Sequence, residues 1–306
     1  MHKLLQDSYS TVRNLPRTGA FGRLVIVKNK KTGEEHIAKL PLNADDKNHS
    51  SDVLKNEINI LRRYTSTRVP TLLDYSTESP HVYFVMPRFD FTLQDVMDTQ
   101  QITPRQLHKI ALQCLRSLET IHSKRVVHRD IKPANIMVDK HNNVVVIIDF
   151  GLSKVLPRHV NRQSDDSQIV DEFYNKPRRR RSFVGNKKYA SIAAMLRKGV
   201  DYKDDLQNLL YTLISCRMEL PWTKKKTRRR DEEKEEEDKK EALRKNFNRI
   251  IQSKIDFTLP KKFENDKQML SLFRLLDYTK AKGWYPFYGI NYPSVRQCLR
   301  KAFKNE

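Results

Sequence analysis

At 306 residues the chain is long enough to bury a sizeable core as one large domain or two lobes. Its 59 Lys and Arg against 37 Asp and Glu leave a formal charge of +22, which attracts nucleotides, acidic or phosphorylated proteins and nucleic acid. The longest apolar run, Val144 to Ile148, is too short for a membrane span, Met1 to Asp7 lack the apolar core of a secretory leader, and Cys114, Cys216 and Cys298 fit reduced thiols packed in helices, so an intracellular protein of cytoplasm or nucleus with no membrane contact is expected.

Residues 9–86 read as mostly strand with one helix. Gly19-Ala20-Phe21-Gly22 precedes an apolar run from Leu24 to Val27, then a Lys30-Lys31-Thr32-Gly33 turn and a strand through Ile37-Ala38-Lys39-Leu40. Small residues between strands let backbone N–H groups approach phosphate oxygens, although Gly-x-x-Gly is also an ordinary hairpin turn. From Asp52 as N-cap to Arg63, apolar residues at Val53, Leu54, Ile58, Ile60 and Leu61 predict a helix. Glu57 falls beside that inward stripe, where a carboxylate needs a cationic partner. Lys39 is the candidate; its alternative is an edge-strand lysine in water. Val82 to Met86 reads as a buried strand leaving at Pro87-Arg88-Phe89.

Thr103-Pro104 is an N-cap followed by proline at the first helical position. Leu107, Ile110, Ala111, Cys114, Leu115, Leu118 and Ile121 then keep helical spacing, predicting a long core helix. It runs to His128-Arg129-Asp130-Ile131-Lys132-Pro133-Ala134-Asn135. Asp130 suits a base that accepts a hydroxyl proton, and Lys132 suits a transferring phosphoryl group. Ile136 to Val138 and Val144 to Ile148 read as two buried strands around an Asp139 to Asn143 turn. Such a hairpin brings Asn135 toward Asp149 of Asp149-Phe150-Gly151, two oxygen donors suited to Mg2+.

These two clusters resemble the catalytic loop and Asp-Phe-Gly motif of the eukaryotic protein kinases, residue for residue. The resemblance implies an α+β bilobal protein kinase fold spanning residues 1–306. It would have a small β-rich N-lobe over about 9–86, a hinge over 87–90 and a mostly helical C-lobe over 91–306. It implies ATP and Mg2+ as cofactors, with Asp130 and Lys132 catalytic and Asn135 and Asp149 holding the metal. Gly19, Ala20, Phe21, Gly22 and Leu24 would line the nucleotide, although Arg17 stands where the kinase loop has its first glycine. Lys39, oriented by Glu57, would face the α- and β-phosphates, Met86 would be the gatekeeper, and Phe89 would offer backbone bonds to adenine. His128 would be a packed structural residue. Lys132, two places after the aspartate, resembles the serine/threonine kinases.

Gly185-Asn186-Lys187-Lys188-Tyr189-Ala190-Ser191-Ile192 resembles the Gly-Thr-Ala-Arg-Tyr-Ala-Ser-Ile stretch of the casein kinase 1 family. Asp204-Asp205-Leu206 and Leu220-Pro221-Trp222 match it as well, around an apolar helix at Leu206, Leu209, Leu210, Leu213 and Ile214. By analogy Asp205 would brace the backbone of the catalytic loop. Lys188 takes the place of an arginine that helps bind phosphate in that family. With Arg178, Arg179, Arg180 and Arg181 just upstream, acidic or phospho-primed protein substrates are expected; a solvated loop or a nuclear import signal reads equally well from the same charges. Lys224 to Lys245 alternates blocks of charge with no apolar face, so a mobile, exposed insertion, helical in part, is expected. Met269, Leu270, Leu272, Phe273 and Leu276 mark a core helix, and Pro293, Val295, Cys298, Leu299, Ala302 and Phe303 a closing one. A monomer is expected. The competing readings are a nucleotide-binding pseudokinase scaffold and a nucleic-acid-binding protein. The charge alone gives only salt-sensitive, non-specific nucleic-acid affinity, and no zinc-ligand or aromatic RNA-binding signature joins it.

Overall fold

The computed structural model describes residues 3–16, 22–42, 50–78, 81–138, 145–156, 183–198, 201–223, 236–280 and 290–303. Arg17, Gly19, Ala20, Phe21, the 139–143 turn, Arg178 to Arg181 and residues 224–235 of the charged insertion lie outside them. The elements in chain order are α1 (Lys3–Ser8), β1 (Tyr9–Asn14), β2 (Arg23–Asn29), β3 (Glu35–Leu40), α2 (Ser50–Leu61), β4 (Asp74–Ser76), β5 (Tyr83–Pro87), β6 (Phe91–Thr92) and α3 (Leu93–Thr99). Then follow α4 (Pro104–Ser123), β7 (Val126–Val127), β8 (Ile136–Val138), β9 (Val145–Ile147), β10 (Lys154–Val155), α5 (Ile192–Met195), α6 (Tyr202–Ser215), α7 (Glu236–Ile255), α8 (Lys267–Lys280) and α9 (Tyr292–Phe303). The N-terminal region is sheet-rich and the C-terminal region helical, an α+β chain. Its residues group into two compact units, one of residues 1–95, 116–128 and 133–156, the other of residues 96–115, 129–132 and 157–306.

In the first unit five antiparallel strands lie in the order β1-β2-β3-β5-β4. Side chains alternate across a strand, so Val25, Val27, Ala38, Leu40, Tyr83 and Val85 share one face. There they form a buried cluster with Leu5 of α1 and Tyr9. The opposite face carries Lys39, in register with Leu24 on one side and Phe84 on the other. Gly33 closes the β2–β3 turn at φ +75°, a left-handed conformation that glycine adopts at no steric cost. A hairpin of β8 and β9 joins β6 in a small sheet, and β7 pairs with β10. Because Phe91 and Thr92 pair with Val138 and Met137, this unit runs past residues 87–90 to Asp95.

α2 begins at Ser50, so Asp52 sits in its first turn and not at the N-cap. Leu54, Ile58, Ile60 and Leu61 are buried, whereas Val53 is only half-buried. α4 starts as the sequence predicts: Thr103 Oγ1 accepts the Gln106 N–H at 3.2 Å, and Gln106 Oε1 accepts the Thr103 N–H at 2.9 Å. All seven of its apolar stripe residues are buried. Each buried leucine or isoleucine among them contributes roughly 1.5–3 kcal/mol relative to exposure.

The second unit is built around α6. Asp201 caps it with a reciprocal box, its carboxylate accepting the Lys203 N–H at 2.7 Å while Asp204 accepts the Asp201 N–H at 2.7 Å. Leu206, Leu209, Leu210, Leu213 and Ile214 are buried, and α8 packs on α6 and on α9. Tyr211, Trp222, Phe257 and Phe273 stack in sequence, with ring centroids 5.1, 5.1 and 4.9 Å apart. Edge-to-face contacts of this kind add to plain burial. As expected, residues 236–245 of the insertion are helical, the start of α7, and residues 241 and 243–245 are exposed. One detail of the sequence reading is corrected. At the start of α9 it is Tyr292 that is buried, with Pro293 exposed. Among the described residues no helix is long and apolar enough to cross a membrane.

Candidate active site

The first unit assembles one charged cluster from three elements. β3 supplies Lys39, α2 supplies Glu57, and the segment after β9 supplies Asp149. Lys39 Nζ donates to Glu57 Oε2 at 2.7 Å and to Asp149 Oδ1 at 2.8 Å. Lys39 is 5 % exposed and Glu57 2 %, so the pair is desolvated. Burial works against the Lys39 ammonium, but Glu57 and Asp149 together outweigh it and hold its pKa above the ordinary lysine value. Burial likewise pushes Glu57 up, opposed chiefly by Lys39. Glu57 Oε1 also accepts the Phe150 N–H at 2.9 Å, which ties α2 to the residue after Asp149. Asn56 repeats that tie one residue away, its amide donating to the Ser153 carbonyl at 3.2 Å.

Asp149 takes φ 69°, a region that costs a non-glycine residue on the order of 1–3 kcal/mol unless its surroundings impose it. The surroundings here are explicit. On one side the Ile148 N–H donates to the Asn135 carbonyl at 2.9 Å, and on the other Phe150 is held by Glu57. Phe150 is fully buried against His128, ring centroids 4.8 Å apart, and His128 Nε2 lies 3.0 Å from the Ile148 carbonyl oxygen. His128 is thus a packed structural residue. The β8–β9 hairpin pairs Ile136 with Ile147, placing Asn135 and the segment leading to Asp149 at the same end of the ladder.

Gly22 packs on Lys39. A Cβ there would stand 2.8 Å from the Leu40 carbonyl oxygen and 3.3 Å from both Cγ and Cε of Lys39. Leu24 is half-buried on the rung beside Lys39, Met86 is buried on β5 opposite Ile37, and Phe89 is half-buried just beyond β5. Pro87 is the last residue of β5, one place later than the strand expected from the sequence.

The second unit holds the other half of the motif. Lys132 Nζ donates to Asp130 Oδ2 at 2.6 Å, and Asp130 is buried. Arg129 takes φ 73°, and its N–H donates to Oδ1 of the fully buried Asp205 at 2.8 Å. Asp205 therefore braces the loop at its strained residue. Gly185 reaches the same loop from another direction. At φ +113°, a Cβ on it would lie 3.0 Å from the Arg129 carbonyl oxygen. Lys187, exposed, and Lys188, half-buried, follow directly. Sequence reasoning missed two groups in this unit. Asp204 is buried, and its pKa is pushed up to about 7 by burial and then by Asp201. Lys254, near the C-terminus of α7, is fully buried. Asp204 entered the sequence reading only as part of a motif, and Lys254, between Ile251 and Ile255, reads there as one more charge on a basic helix.

The donor set fits a hard divalent cation: Asn135 offers an amide oxygen and Asp149 a carboxylate whose partner Lys39 is shared with Glu57. Among the described residues no group of three or more His, Cys, Asp or Glu forms a metal cage. Mg2+ needs none, since it is commonly held by one or two side chains together with phosphates and water.

Compared with known proteins, the chain matches the protein kinase domain family over residues 11–276. It is similar to a probable casein kinase I homolog of Encephalitozoon cuniculi (strain GB-M1), 29% identical over 220 residues, which cover 70% of this chain and 64% of that protein. It is also similar to a probable myosin light chain kinase of Dictyostelium discoideum, 26% identical over 219 residues, which cover 66% of this chain and 68% of that protein. The chain thus spans just under two thirds of the first relative's length. With the family match running from β1 into α8, through the Lys39–Glu57–Asp149 cluster and the Asp130 loop, the chain belongs to the protein kinase domain family.

Proposed function

We propose that the chain is a serine/threonine protein kinase of casein kinase 1-like type, transferring the γ-phosphoryl group of ATP to protein hydroxyls. The observation that carries this reading is the lysine shared between Glu57 and Asp149, which needs three separate elements to meet. In the reaction a serine or threonine oxygen forms a bond to the γ-phosphorus as the bond to the ADP oxygen breaks. Asp130 accepts the hydroxyl proton, and Lys132 opposes the negative charge of the group in transit. Lys39 orients the α- and β-phosphates. Asn135 and Asp149 would hold Mg2+, which when bound neutralises phosphate charge. Leu24, Met86 and Phe89 line the base.

Lys132 beside Asp130 supports serine/threonine specificity. Lys187 and Lys188, in the segment whose Gly185 abuts the catalytic loop, support acidic or phospho-primed proteins as substrates, with Arg178 to Arg181 adding charge nearby in sequence. The protein works as an intracellular monomer in this reading, and its charge adds only non-specific nucleic-acid affinity.

The test is transfer of labelled phosphate from Mg·ATP to casein and to a peptide library containing acidic, primed and neutral sequences. Asp130→Asn should lower kcat roughly 10²–10⁴-fold, the usual share of a positioned acid–base group. Tight Mg·ATP binding with no transfer to any protein would favour a scaffold that only binds nucleotide.

A further inference from the structure

Lys254 is 0 % exposed, a rare place for an ammonium. Its Nζ donates to the Lys187 carbonyl at 2.9 Å and to the Ala190 carbonyl. The same atom lies 4.9 Å from the centroid of Tyr211 and 5.1 Å from that of Trp222, within the range of a cation–π contact. Trp222 is itself fixed to the segment, its indole N–H donating to the Lys188 carbonyl at 2.8 Å. Three residues from the last turns of α7 contact this region. Phe247 packs edge-on against Phe183 at 5.5 Å and carries the Lys187 ammonium at 5.6 Å, Arg249 donates to the Trp222 carbonyl at 3.4 Å, and Lys254 closes the set. Among the described residues no carboxylate pairs with Lys254, and burial drives its pKa well below the ordinary lysine value. An apolar residue would fill this space without that desolvation cost, so the two carbonyls are what the amine is there to hold.

The held segment runs beside the catalytic loop. Gly185 abuts the Arg129 carbonyl, one residue before Asp130, and Lys187 and Lys188 follow it. A polypeptide presenting a hydroxyl to Asp130 would approach past Gly185, where this segment abuts the catalytic loop. We infer that Lys254 is a positioning residue for the protein substrate: it clamps residues 187–190 through their carbonyls, so that this stretch of backbone meets the substrate in one conformation. The inference rests on the kinase reading. It assigns Lys254 no contact with ATP or with the transferred group.

The experiment measures KM for an acidic peptide, KM for ATP and peptide-independent ATP hydrolysis in Lys254→Met, whose side chain has similar length and no donor. Amide hydrogen exchange over residues 186–191 is followed in parallel. Peptide KM should rise about tenfold, which corresponds to about 1.4 kcal/mol. ATP KM and basal hydrolysis should stay within about twofold, and the amides of 186–191 should lose protection. Lys254→Gln, with two donors on a shorter chain, should show the same pattern to a smaller degree, and Lys254→Arg should restore most of the peptide affinity. Unchanged peptide KM in a folded Met or Gln variant overturns the inference. So do parallel losses in both KM values, or a failure of both variants to fold, since either makes Lys254 a general folding residue. Exchange over 186–191 is read without turnover, so an inactive wild-type protein would refute the kinase reading while leaving the clamp itself measurable.

Discussion

Removing the Lys39 ammonium isolates the energetics of the charged cluster. Lys39→Met deletes donors 2.7 Å from Glu57 and 2.8 Å from Asp149 and leaves Glu57, 2 % exposed, with the Phe150 N–H. Stranding one partner of a buried ion pair costs roughly 3–5 kcal/mol. At about 2.1 cal/mol/K of unfolding entropy per residue, each kcal/mol shifts the melting temperature of a 306-residue chain by about 1.6 °C, so a drop of about 5–8 °C is expected. Adding Glu57→Gln should recover half or more of it, because a neutral amide still accepts from Phe150 and no longer needs a counter-ion. The deficit of the single variant also depends on pH. Without Lys39 the Glu57 carboxyl is raised further, and its protonated form stabilises the fold in acid; that contribution is lost as pH rises. The variant should therefore lie nearer wild type at pH 5 than at pH 8. Urea and thermal unfolding of wild type, both single variants and the double variant complete the cycle. If Lys39→Met and the double variant unfold at the same point at pH 8, the stranded-carboxylate argument is wrong.

Gly22→Ala should weaken binding of a fluorescent ATP analogue and cost about 1–3 kcal/mol of stability, because its Cβ meets the backbone carbonyl of Leu40 at 2.8 Å; wild-type values for both would refute the close approach. Asp205→Ala removes the carboxylate that accepts the Arg129 N–H at φ 73° and should cost about 1–3 kcal/mol, while Asp205→Asn keeps an acceptor and should cost less, as denaturant midpoints will report. Asp204, with its pKa pushed up to about 7, stabilises the fold when protonated, and that contribution disappears as pH rises from its unfolded value of about 4 toward 7. Wild type should thus lose ground to Asp204→Asn across that window, and parallel melting curves would refute the shift. Cys114 is fully buried and burial pushes its thiol well above the ordinary cysteine value, so a thiol reagent at pH 8 should leave it unmodified in the native protein and label it in denaturant, read by intact mass.

Local rules were enough where one residue type has one physical use. The capping pair Thr103 and Gln106, the stripe from Leu107 to Ile121 and the β8–β9 hairpin follow from spacing and turn chemistry, and all three are present in the fold. Glu57 was legible as an inward carboxylate, and Lys39 as its nearest candidate cation, because a buried charge demands a partner. Helix ends were less legible: α2 starts two residues before Asp52, with Ser50 buried in its first turn.

Tertiary structure alone decided how the one ammonium is divided. Nothing in the chain order says that Lys39 serves Asp149 as well as Glu57, or that the Phe150 N–H completes Glu57. The same holds for Lys254, which reads as one more surface charge on a basic helix. Only the fold places two carbonyls and two ring faces around it. Periodicity records which side of an element faces inward. The partner found there is set by contacts between segments 18 to 110 residues apart, as for Lys39, and those exist only once the chain has packed.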